Sequence, residues 1–452
     1  MESTARIDNR VEPRVVHRPQ RDRPVSEERS VTKLDRTLWC VLFGVGLIGF
    51  LTVLFFAVLA YIPSRTVTVP YRAGFLILSL AVIGIAFIRN QKFYEGWLWW
   101  PLLFFFFSYS LRIIYDGYLS HAFLPMPPNE LLLMAFGACL IPSIAFMRRM
   151  PLNAAWAGFW GFITVGVGGA LMSSFLYRDL FAGEVGRLRG GAFVGEYVGI
   201  SPLGIAYMGS ALTVVGLALL VLPKSYSLIY RRILPLVLAG VGVYPMMIGA
   251  SRGPLIAIIV CSLLLFVARL RERQMKNALF VGIVLCGLGA GFVLVAQEIG
   301  SVAVDRFIGI RTDIAAGTGA AARLYIWESA VRGFLSSPLL GASLTVPGQV
   351  HPHNFIVEAF LATGVLGGTC FTILLIAGIR RSFRILRHYP EYGWIAILFV
   401  HYAVNGMFSS SIGTLPAFWY TFGAVLGVTA VLGLEKKRNR KMPSARRVIE
   451  PA

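Results

Sequence analysis

Twelve apolar runs govern what this 452-residue chain can fold into. They lie near 38–62, 69–88, 97–115, 129–147, 152–176, 197–222, 233–249, 253–270, 277–298, 354–378, 393–411 and 415–433. Runs of about 18–25 residues are the length that carries a helix across a bilayer core of roughly 30 Å. Hydrophobic residues make up 56% of the chain and charged residues 14%, a balance that excludes a soluble domain of this length. The expectation is an all-α, polytopic integral membrane protein of about twelve transmembrane helices, the membrane domain spanning 38–433.

The net charge of +20 would suit a nucleic-acid partner, but its distribution argues against one. With the N-terminus inside, 31 Lys and Arg fall on the inner side and 11 on the outer side. Arg89/Lys92, Arg148/Arg149, Lys224/Arg231/Arg232 and Arg380/Arg381/Arg384/Arg387 all fall inside. That asymmetry sets orientation, with both termini cytoplasmic. The basic excess is a topology signal with some attraction to anionic lipid heads. Residues 1–37 are rich in Arg, Pro and Glu and read as a disordered cytoplasmic tail, and 434–452 as a basic one. The polar start also argues against a cleavable signal peptide. The five cysteines, Cys40, Cys139, Cys261, Cys286 and Cys370, show no paired or metal-type spacing and read as small core residues.

Chemistry is expected on the outer side. A Gly-rich loop covers 177–196, a tight turn "GASRGP" covers 249–254, and a long periplasmic loop covers 299–353. A loop of that length serves a function more often than a connection. Within it, Leu324, Trp327, Val331 and Phe334 recur at helical steps, which predicts an amphipathic helix over 321–335 lying at the outer interface. Arg323 falls on the edge of its apolar face and Arg332 on the opposite side.

The outer basic residues are all arginine, the planar multi-donor cation that phosphate recognition favours. Arg252 opens an apolar run that travels from outside to inside, with Ser251 placed as its cap and Pro254 in its first turn. An arginine beside a helix N-terminus makes an anion site. His353 has the same setting before Asn354, a good cap residue. A positive helix end and nearby arginines favour its neutral form, which suits a general base. His351 and His353 could also hold a metal, but no outer cluster of Asp, Glu or Cys completes such a site. The chain lacks an Asp-x-Asp pair, which argues against a divalent-ion-dependent sugar transferase. His401, mid-run, reads as a hydrogen-bonded core residue.

These pieces resemble a known family. "HNFIVEAFLATGVLGG" (353–368), "GASRGP" (249–254) and "RLYIWESAVRGFLSSPLLGASL" (323–344) resemble, in order and spacing, the signature of the O-antigen ligase family. The family includes lipopolysaccharide O-antigen ligases and related polysaccharide polymerases. The resemblance implies a GT-C-like membrane fold and a metal-independent, inverting transferase that needs no cofactor. It implies a glycan donor on undecaprenyl pyrophosphate and a sugar hydroxyl as acceptor, on lipid A–core for a ligase or on another lipid-linked glycan for a polymerase. By motif, Arg252 and Arg323 would hold the pyrophosphate, Arg189 in "RLRGG" would be a third phosphate contact, and His353 would activate the acceptor, with Ser251 and Asn354 in support. The expected setting is the bacterial inner membrane with the site facing the periplasm.

An O-antigen ligase is the reading favoured here, with a polymerase of the same family as runner-up. A flippase for lipid-linked oligosaccharides is the rival of another class. Its polar groups would sit near the bilayer midplane on broken helices, whereas the candidate residues here lie at the outer rim. Orientation can be tested first. A reporter fused after residue 340 should be periplasmic and one fused after residue 275 cytoplasmic; either on the wrong side would overturn the orientation.

Overall fold

A computed structural model describes residues 32–120, 122–124, 126–177, 201–270, 275–298, 301–309, 315, 320–346 and 351–440. Among them every one of the twelve apolar runs is helical and no β-strand occurs. Among the described residues nine helices are long and apolar enough to cross a membrane. They are α1 (Lys33–Leu59), α2 (Ser64–Ile88), α4 (Pro128–Phe146), α5 (Leu152–Leu176), α6 (Pro202–Leu219), α7 (Ile229–Gly249), α8 (Arg252–Arg269), α12 (Phe355–His388) and the Pro416–Gly433 part of α14 (Pro416–Arg440). The three other runs form α3 (Trp99–Ile114), α9 (Met275–Glu298) and α13 (Gly393–Phe408). Two further helices, α10 (Ala303–Ile308) and α11 (Ala320–Ser336), lie between α9 and α12. The chain is thus a multi-pass helical membrane protein.

The first helix starts at Lys33, inside the stretch assigned to the tail. Thr32 explains the start: its hydroxyl accepts from the Asp35 N–H and donates to the Asp35 carboxylate, a local N-terminal cap. Asp35 then faces Arg148, whose guanidinium lies 4.6 Å over the Trp39 ring and donates to Gln91 (2.9 Å). All five cysteines are free; Cys139 and Cys261 are buried, but Cys286 is exposed, so it is not the core residue expected.

Helices α6 and α7 pack through backbone. A Cβ added at Gly209 would lie 2.3 Å from the Gly242 carbonyl oxygen, and one added at Gly242 would lie 2.3 Å from that of Gly209. Small residues allow this approach, which in an apolar medium supplies much of helix association through dispersion. This pair carries Tyr207, which reaches the site described below. Gly242→Leu should lower the unfolding midpoint in detergent by an amount equivalent to about 1–3 kcal/mol, the usual range for overpacking. Gly240→Leu should stay near wild type, because nothing lies within 4 Å of an added Cβ there. Similar midpoints for the two variants would show that this interface is not close-packed.

Candidate functional site

The candidate residues gather where the N-terminal ends of α6, α8 and α12 meet the turn between α13 and α14. Residue Ala250 closes α7 in a left-handed conformation (φ 40°), and α8 begins two residues later at Arg252. Ser251 occupies the cap position with extended backbone, yet its side chain makes no capping bond, contrary to the expected cap. The first-turn N–H groups of α8 therefore have no acceptor from this side chain. A Cβ at Gly253 would fall 2.2 Å from the Tyr207 hydroxyl and 3.1 Å from Ser409 Oγ. Glycine after Arg252 thus lets α8 press against Tyr207, whose hydroxyl donates to Ser409 (3.3 Å).

Asn354 caps α12 as its residue type predicts, accepting from Ile356 N–H (3.1 Å) and Val357 N–H (3.2 Å). His353 precedes it at φ 56°, a left-handed conformation that histidine enters more readily than most residues. The loop is pinned from α11, where Trp327 Nε1 donates to the Pro352 carbonyl (2.9 Å). Arg323 and Trp327 are four residues apart and share one face of α11. The Arg-x-x-x-Trp spacing therefore has a physical reading: the tryptophan holds the His-Pro-His loop and the arginine points toward it.

The packed face of α11 differs from the expected one. Ile326 and Ala330 are buried against Val346 and Leu361, while Leu324 and Val331 are exposed. The apolar arc is wider than the protein surface available to it, so only its Arg323 side packs. Arg332 lies on the far side as expected, paired with Glu328, both exposed.

Electrostatics tie the pieces together. Burial pushes the Arg323 guanidinium below its ordinary value; the Tyr207 phenol opposes this and the like charge of Arg252 adds to it. Among the described residues no carboxylate pairs with Arg323. Two guanidiniums held close enough to repel suit an anion that bridges them. Burial, then the Arg323 charge, holds His353 below the usual histidine value, against a hydrogen bond with the Ser409 backbone. His351, whose ring centroid is 4.2 Å from that of His353, is pushed down to about 4, chiefly by burial. Both rings are therefore biased toward the neutral form. Among the described residues no three of His, Cys, Asp and Glu come together as a metal site. Arg189 lies outside the described residues.

Sequence reasoning missed several groups. Tyr207 and Ser409 sit on runs with no motif around them. Glu358 is a carboxylate within the apolar run 354–378, and its partners lie far away along the chain. It is 1% exposed and accepts from Ser411 Oγ (2.6 Å), Ile412 N–H (3.1 Å) and the Tyr109 hydroxyl (3.2 Å). It thereby fixes the turn that carries Ser409. His401 is a bonded core residue, 2.7 Å from Ser210 Oγ, as expected.

Residues 234–372 match the family described as O-Antigen ligase. Over that segment the chain is similar to O-antigen ligases. That segment contains Arg252, Arg323 and His353; Tyr207 and Ser409 lie outside it. No curated protein matches the chain. Within the matched segment the protonation of the two histidines is open to direct measurement. In histidine-labelled protein, NMR should show His351 neutral down to about pH 4 and His353 titrating below 6.5. Arg323→Ala should raise the His353 value, and no change would mean that the two side chains are further apart.

Proposed function

We propose that this protein is a metal-independent, inverting membrane glycosyltransferase. It moves a glycan from undecaprenyl pyrophosphate to a sugar hydroxyl on lipid A–core, as an O-antigen ligase does. The reading extends to a bacterial inner-membrane setting with the site facing the periplasm. The observation that carries it is the convergence, inside the segment that matches the O-antigen ligase family, of Arg252 and Arg323 beside a histidine disposed to stay neutral.

In this scheme His353 takes the proton from the acceptor hydroxyl. The oxygen attacks the anomeric carbon from the side opposite the pyrophosphate, and the carbon–oxygen bond to phosphate breaks. Undecaprenyl pyrophosphate leaves with the electron pair, and configuration inverts. Arg252, Arg323 and the N-terminal end of α8 stabilise the charge that develops on the leaving group. An apolar groove of ≈340 Å³ between α8, α12 and α13 supports a lipid-linked donor. Its lining runs from Met407, two residues before Ser409, past Val260 to Val267, so an apolar tail fits below the arginines. The choice of lipid A–core as acceptor rests on the motif resemblance.

His353→Ala should abolish transfer by purified, monodisperse protein, and His351→Ala should do less. Arg252→Lys and Arg323→Lys keep charge but lose the planar fork. Each should cost about 2–4 kcal/mol, the range for one lost transition-state donor, or roughly 30- to 1000-fold in rate. Arg332→Ala should be nearly silent, and activity should survive excess EDTA. A fully active His353→Ala enzyme would remove the general base from the scheme. Deletion in cells should strand full-length glycan on undecaprenyl pyrophosphate and leave lipid A–core bare. Core capped with single repeat units would instead identify a polymerase.

A further inference from the structure

Helix α12 is not continuous. Gly364 leaves the helical region (φ 63°, ψ −162°) and separates the segment that starts behind His353 from the long remainder. The chain that follows α11 crosses at this break. Val365 N–H donates to Pro338 O (2.7 Å) and Ala342 N–H to Leu361 O (2.8 Å). The approach leaves no space for side chains. A Cβ at Gly364 would lie 2.2 Å from Leu339 O, and one at Gly341, itself at φ 82°, would lie 2.5 Å from the Ala362 carbonyl carbon.

A break among apolar surroundings strands backbone carbonyls, and each stranded group is costly there. Arg112, at the end of α3, supplies the missing donors. Its Nε donates to Ala362 O (3.1 Å), Nη1 to Ala342 O (3.1 Å), and Nη2 to Leu340 O (3.0 Å) and Gly341 O. Its charge is paired with Asp116 (3.2 Å), whose other oxygen accepts the Leu344 N–H (2.7 Å). The Arg112 and Asp116 side chains are 10% and 2% exposed. One guanidinium thus bonds both sides of the joint: Ala362 in the first segment of α12, and residues 340–342 in the chain leaving α11.

We infer that Arg112 is a positioning residue for transfer, keeping Arg323 on α11 in register with His353 at the head of α12. The inference rests on the proposed role of His353 and adds a group outside the matched segment, remote in sequence from the motifs. Trp327 ties the middle of α11 to the His353 loop, Ile326 and Ala330 pack against Leu361 of α12, and the Arg112 joint fixes the chain just beyond the end of α11. With the joint loosened, the end of α11 is held only by this packing and its backbone bonds, and Arg323 shifts relative to His353. Displacement of the reacting groups by about 1 Å can lower a rate 100-fold.

The test compares Arg112→Gln, Arg112→Lys and Gly341→Ala with wild type in purified full-length protein. Arg112→Gln should lower kcat roughly 10- to 100-fold and leave KM within about twofold. It should also move the acid limb of the pH–rate profile to higher pH. The sign follows from the surroundings of His353: His351 in its own loop, Arg323 from α11, and beyond it Tyr207 from α6 and Arg252 from α8. The Arg323 charge holds His353 down, so a displaced Arg323 lets it rise. Arg112→Lys, which keeps charge and some bonds, should recover part of kcat. Gly341→Ala, which disturbs the joint from the other side, should move the limb the same way.

Spin labels at positions 332 and 356, on α11 and the head of α12, give a readout that needs no activity. Their distance distribution should broaden in Arg112→Gln. An unchanged distribution would overturn the inference whether or not His353 is the base. So would a folded Arg112→Gln protein with wild-type kcat and acid limb. Loss of activity that tracks only loss of folded protein, with the limb in place, would also reduce Arg112 to a stabilising role. A broadened distribution beside an active His353→Ala enzyme would keep the joint and reject the base.

Discussion

Backbone groups surrounded by apolar side chains must find partners within the protein, and this constraint organises the molecule. Over the apolar runs the helix meets it locally. The interest lies where it cannot, at the left-handed turn of Ala250, the His353–Asn354 entry, the break at Gly364 and the turn at Ser409–Ile412. Three of these places have a dedicated polar side chain: Asn354 at the entry, Arg112 at the break and Glu358 at the turn. Each lies in or against an apolar run, where an unpaired polar group would be destabilising. The irregular backbone and its polar partners together form the scaffold on which Arg252, Arg323 and His353 are presented.

The fold was legible because hydropathy alone marks a membrane helix, and all twelve runs are helical. The cap at Asn354 was legible because it is local in sequence. The start of α1 was misplaced because a polar cap, Thr32 with Asp35, extends the helix beyond its apolar part. The packed face of α11 was misjudged for a related reason. Periodicity reports how wide an apolar arc is, and cannot say which part meets protein: Ile326 does, Leu324 does not. Tyr207, Ser409 and Arg112 were out of reach because their meaning lies in partners far away along the chain. Arg112 and the Ala362 carbonyl are 250 residues apart.

Charge and burial work together around the histidines. Burial alone disfavours an imidazolium, and a neighbouring guanidinium disfavours it further. Two arginines near each other are themselves a source of instability, because like charges repel more strongly away from water. Tyr207 stands beside Arg323, and its hydroxyl donates to Ser409.

The contact between Gly253 and the Tyr207–Ser409 pair bears on how this site can be moved between proteins. The O-antigen ligase segment, 234–372, ends well before Ser409 and begins after Tyr207. It supplies charged and ionisable side chains, but the wall they rest against is built by helices on either side of it. Grafting that segment onto a relative would place its α8 against a foreign residue at position 207 and a foreign turn at 409. A chimera is therefore expected to accept the graft only when those two positions travel with it. The unit of inheritance for this site is accordingly larger than its recognisable signature.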